Sequence, residues 1–117
     1  MAIKVLLVGG VGKLAVPYDI KRVGATLKKV YGVTDANITV LISTTNVPIT
    51  ATAVVNKFKA MDSTLRPEDT LMLYLTGHGG KGYFVLGEGQ RLTGTWLNTT
   101  VKLKIFGKVT FFILKKI

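Results

Sequence analysis

Leu71-Met72-Leu73-Tyr74-Leu75-Thr76-Gly77-His78-Gly79-Gly80 is the stretch on which the reading of this chain turns. From Thr70 to Thr76 it is a run without charge, the pattern of a strand buried on both faces of a parallel sheet. It then passes directly into glycines around His78, the one histidine of the chain. Glycine permits positive φ and close backbone approach. A histidine held at such a point, beside free backbone N–H groups, suits a general base next to an oxyanion hole. The bland alternative is a glycine turn with an incidental histidine.

The same strand pattern recurs on either side. Ile3 to Val8 is a β-branched and leucine run closed by Gly9-Gly10, and Asn37 to Ile42 reads as a further strand. Between them, Pro17 and Asp19 mark a helix start. Ile20, Val23, Leu27, Val30 and Tyr31 then recur at helical spacing, with Lys21, Arg22, Lys28 and Lys29 largely on the other side. Gly32 closes that helix as a C′ glycine. Thr50 is placed to N-cap a helix over residues 51–61, whose Val54, Val55, Phe58 and Met61 make an apolar face. Arg66-Pro67-Glu68-Asp69 is a turn into the Thr70 strand. Residues 83–86 and 90–92, on either side of Gly87-Glu88-Gly89, read as a β-hairpin. A short helix is expected over 95–103 and a last strand over 108–114.

Strand, helix, strand, helix, strand, hairpin, helix, strand predicts an α/β domain, a three-layer sandwich. It has a mainly parallel four-stranded sheet, helices on both faces and a small β-hairpin. Ligands of such sheets bind beyond the carboxyl ends of the strands. The loops at 9–12, 43–46 and 77–82 are therefore expected to gather at one edge.

Composition agrees with one domain over residues 1–117. The chain has 117 residues, of which 48% are apolar, enough for one hydrophobic core. It has no cysteine, which removes disulfides, thiolate metal sites and thiol nucleophiles from these residues. No metal or other cofactor is implied. The apolar run after Met1 is too short for a signal-peptide core or a membrane span, so the expected location is the cytoplasm.

Net charge is +10, and no acid follows Glu88, whereas Arg91, Lys102, Lys104, Lys108, Lys115 and Lys116 do. A basic C-terminal half of this kind attracts an acidic partner, or serves only as a solubilising surface. No nucleic-acid motif accompanies it. Gly9-Gly10-Val11-Gly12-Lys13 follows a strand and precedes a helix, but Leu7 and Leu14 stand where a phosphate-binding P-loop needs Gly and Ser or Thr.

Residues 73–80 resemble the histidine motif of the caspase-like cysteine peptidases. Metacaspases carry a closely similar Tyr-Ser-Gly-His-Gly, and legumain and the glycosylphosphatidylinositol transamidase subunit carry similar His-Gly-Gly sequences. Upstream, residues 3–10 resemble that family's first strand, and Tyr18-Asp19-Ile20-Lys21-Arg22-Val23 the start of its first helix. Gly32 to Leu41 resembles its approach to the second strand, and Thr50 the threonine that opens its second helix. The chain thus corresponds to the N-terminal, large-subunit-like part of such a domain, acting on a peptide or protein.

The resemblance implies His78 as the base and the Gly79 N–H as an oxyanion donor. It gives Asp19 a part in a substrate pocket for Lys or Arg; the plainer reading of Asp19 is an acid favoured by the helix dipole. The family's nucleophilic cysteine follows an apolar strand. Here that strand ends Phe112-Ile113-Leu114-Lys115-Lys116-Ile117, with Ile117 at the cysteine position. The expectation is a caspase-like domain, fragment or pseudoenzyme, with the histidine and without the nucleophile, hence inactive by thiol chemistry. The alternative is a non-catalytic basic scaffold for an acidic partner.

Overall fold

The computed structural model of the chain describes residues 3–10, 15–44, 46–77, 79–80, 83–87, 89–93 and 108–116. In chain order the elements are β1 (Ile3–Gly9), α1 (Ala15–Tyr31), a 3-10 turn (Asp35–Asn37), β2 (Ile38–Ile42), α2 (Ala51–Asp62), β3 (Thr70–Gly77), β4 (Gly79–Gly80), β5 (Tyr83–Gly87), β6 (Gln90–Thr93) and β7 (Lys108–Lys116). The expected α/β alternation is present. The expected helix over 95–103 falls outside the described residues.

Strands β2, β1 and β3 form a parallel sheet, and β7 pairs in parallel with β3 at its edge, giving the order β2-β1-β3-β7. Val5, Leu6, Leu7 and Val8 of β1 are buried, because β1 has a strand on each side and a helix over each face. Alternation assigns those faces. Val5, Leu7 and Met72 pack with Ile20 and Leu27 of α1 and with Val33. Leu6, Val8, Leu71, Leu73 and Leu75 pack with Val54 and Phe58 of α2 and with Leu86 and Leu92 of the β5–β6 hairpin.

The helices lie on opposite faces for a topological reason. The connection from β1 to β2 moves one way across the sheet and that from β2 to β3 moves back past β1. With crossovers of one hand, the two helices must take opposite sides. The chain from β3 to β7 continues in the same direction as from β2 to β3, and its described part, the hairpin, lies on the α2 face.

Local signals hold with small shifts. Thr50 caps α2, its hydroxyl oxygen accepting from the Ala53 N–H at 3.1 Å. Gly32 ends α1 with φ 66°, and the next residue, Val33, turns its N–H back to the Leu27 carbonyl at 3.3 Å. Helix α1 begins two residues before Pro17, at Ala15. Proline is tolerated there because first-turn N–H groups have no helical acceptor. The hairpin is longer than expected. The glycines at 79 and 80 form β4, opposite Phe84 and Tyr83, and the antiparallel sheet is β4-β5-β6. Glycine has no side chain to reveal a strand, so this pairing is invisible to pattern. Among the described residues no helix is long and apolar enough to cross a membrane.

Candidate functional site

The carboxyl ends of β1, β2 and β3 meet as the topology requires. The Ser43 N–H donates to the Gly9 carbonyl at 2.7 Å, and the Gly10 N–H donates to the Thr76 carbonyl at 2.9 Å. These bonds continue the pairing of β1 with β2 and with β3 at the carboxyl end and draw Gly9, Gly10, Ser43 and Thr76 into one edge. Between β1 and β3 the sheet order reverses, which is where parallel α/β sheets open a crevice. The sequence-predicted gathering of loops holds here for the described residues at 9–10, 43–44 and 76–77.

Asp19 reaches this edge from α1. Its side chain is buried, at 6% exposure, and Oδ2 accepts from the hydroxyl of Thr76 at 3.2 Å. Thr76 is itself fully buried. A buried carboxylate needs donors, and the strand supplies one at its last side chain before the glycines. The contact joins residues 57 apart in sequence. It links the first helix to the strand end from which the histidine loop departs. Sequence reading singled out each residue but not the bond between them. The available signal was a hydroxyl at the end of an otherwise uncharged strand.

His78, the expected base, lies outside the described residues, as do Lys13 and the rest of the 11–14 segment. Gly79, the expected oxyanion donor, sits in β4 opposite Phe84. The β3–β7 register places Lys115 beside Thr76 and Lys116 beside Gly77, after an irregularity at Leu75/Thr76. Two lysines thus adjoin the end of β3. The next residue, Ile117, lies outside the described residues, as do Lys102 and Lys104.

Ser43, the hydroxyl at this edge, is already engaged. It is buried, and its Oγ accepts from the Ile49 N–H at 2.9 Å, folding the 43–49 loop toward α2. That is a structural use of the side chain. Among the described residues no cluster of three or more His, Cys, Asp or Glu side chains is placed to hold a metal.

A second concavity runs down α1 from this edge. It has a volume of about 340 Å³ and is lined by Asp19, Arg22, Val23, Thr26, Leu27 and Tyr31 of α1 and by Tyr74 of β3. Asp19 stands at its upper end, so the buried carboxylate belongs both to the sheet edge and to the groove. Arg22 is exposed on the outer rim, with its guanidinium carbon 5.6 Å from the centre of the Tyr18 ring. No protein-family model matches the chain, and no curated protein matches it significantly.

Proposed function

We propose that this chain is the histidine-bearing part of a caspase-like peptidase domain that lacks the nucleophile, so that it does not cleave peptides by thiol chemistry. The observation that carries this reading is the register at the carboxyl edge. Thr76-Gly77, which lead into His78, lie at the point where the strand order reverses, and the neighbouring strand β7 ends beside them. Lys116 lies opposite Gly77, and in sequence His78 follows the one and Ile117 the other. In this reading position 117 is where the thiol partner of His78 is missing. Isoleucine supplies no nucleophilic atom there.

In this reading Asp19 is the acid that meets a Lys or Arg of a bound peptide. Gly79 supplies the N–H toward an oxyanion, and no cofactor takes part.

The test restores the missing atom. Ile117→Cys is expected to give a thiol that alkylates with iodoacetamide at neutral pH roughly tenfold faster than a free cysteine, because a histidine partner raises the thiolate fraction. His78→Ala in the same background should return the rate to that of a free thiol. Equal rates with and without His78 would sink the reading.

A further inference from the structure

Among the described residues the two faces of the sheet are not covered equally, and a groove borders α1. Helix α1 packs over β1, with contacts to β2 and β3. The hairpin that follows β3 lies on the opposite face. Beside α1, Tyr74 of β3 therefore forms the floor of the groove together with Val23 and Leu27. At the lower end Tyr31 lines the groove while 59% exposed, and its neighbour Val30 is 64% exposed. Large apolar side chains at the mouth of a concavity mark a surface that a partner covers.

The exposed charge along the groove's outer rim is basic, while the Asp19 carboxylate at its upper end is buried. Helix α1 carries Lys21, Arg22, Lys28 and Lys29 on its exposed surface, and its one acid, Asp19, is buried against Thr76. Lys28 pairs with Asp35, across the helix from the groove by helical spacing. At 100° per residue Arg22 and Lys29 share the outer face with Tyr18, alongside the flank that bears Thr26. The groove is thus apolar at its floor and basic along its outer rim.

We propose that this groove docks an acidic peptide segment of a partner protein, with an apolar or aromatic side chain of the peptide on Tyr74, Val23 and Leu27 and its carboxylates on Arg22 and Lys29. Charge complementarity selects the occupant. A second copy of the chain carries net charge +10 and is repelled from a basic rim. A polynucleotide needs a continuous cationic track, and Arg22 and Lys29 beside an apolar floor do not make one. A volume of about 340 Å³ holds a few side chains, which matches a short peptide anchor. The proposal concerns the flank of α1 and stands independently of the reading of His78.

The experiment is fluorescence anisotropy with a short fluorescein-labelled peptide of aspartate and glutamate around a central phenylalanine and leucine. It is run on the full chain at low and at physiological salt. Binding should weaken about tenfold in the R22E/K29E double variant, a difference of about 1.4 kcal/mol. It should weaken similarly when T26W fills the groove from an exposed position, and when serine replaces the peptide's phenylalanine and leucine. The K57E/K59E variant, with the same charge change on the exposed surface of α2, should stay within about twofold. All these positions are exposed, and circular dichroism melts confirm that each variant folds. Absence of binding, equal losses in the two charge variants, or indifference to T26W would overturn the proposal. So would an oligodeoxythymidine that binds as tightly and responds to the same variants, or sedimentation showing the chain associating with itself through this face.

Discussion

Among the described residues the α2 face of the sheet is covered by a helix and a hairpin and the α1 face by one helix, though both are built from alternate residues of the same strands. On the α2 face, Leu6, Val8, Leu71, Leu73 and Leu75 meet a helix and a hairpin, and Leu86 and Leu92 seal the margin. The hairpin is fastened there. Gln90 Oε1 of β6 accepts from the Ala51 N–H in the first turn of α2 at 3.0 Å. That bond satisfies a helix N-terminal donor and fixes the approach of one covering element to the other. On the α1 face, Val5, Leu7 and Met72 meet one helix, and Tyr74 is left half-buried at a groove.

The sharpest way to break this comparison uses adjacent residues of β3 that face opposite ways. Leu73→Ala opens a cavity in the α2 face and is expected to cost about 3–5 kcal/mol, read as a fall in the urea midpoint. Met72→Ala, on the other face under α1, should cost about 2–3 kcal/mol, because neighbouring side chains have room to settle. Equal losses would mean that the two faces are equally packed.

A smaller effect tests the link between α1 and the sheet edge. Thr76→Val keeps the shape of the side chain and removes the donor to Asp19. A loss of about 1–2 kcal/mol is expected, with faster amide exchange at the end of β3. An unchanged denaturation midpoint would show that the bond contributes nothing to holding α1 on the sheet.

The smallest effect runs the other way. Gly24 is buried in the interior of α1, and a Cβ added there would meet Leu7 Cδ1 at 3.7 Å, ordinary van der Waals contact. Gly24→Ala should therefore stabilise by about 0.5–1 kcal/mol through helix propensity, raising the melting temperature by a few degrees. Destabilisation would mean that α1 already sits as close to β1 as it can, and the contrast between the faces would shrink.

How much was legible beforehand depends on how local each signal is. The buried strands at 3–9 and 70–77, the Thr50 cap and the Gly32 stop were readable because each rests on a few neighbouring residues. The pairing of the glycines at 79 and 80 was not, since a strand without side chains has no alternation to read. Ser43 was placed at the right edge by strand order, but its bond to the Ile49 N–H depends on how the 43–49 loop folds back. Asp19 was noticed for a local reason, as a helix acid, and Thr76 only as the last residue of an uncharged strand. Their contact spans 57 positions and exists only once α1 lies over the sheet.

By itself the sequence determined the alternation of strands and helices, the absence of a thiol and the excess of positive charge, because these are set by residue type and short-range spacing. Only the tertiary structure decided which covering element lies on which face, that Lys115 and Lys116 adjoin Thr76 and Gly77, and that the acid of α1 turns inward while Arg22 lines a groove. These depend on crossover direction and strand register, which join parts of the chain that no local pattern connects.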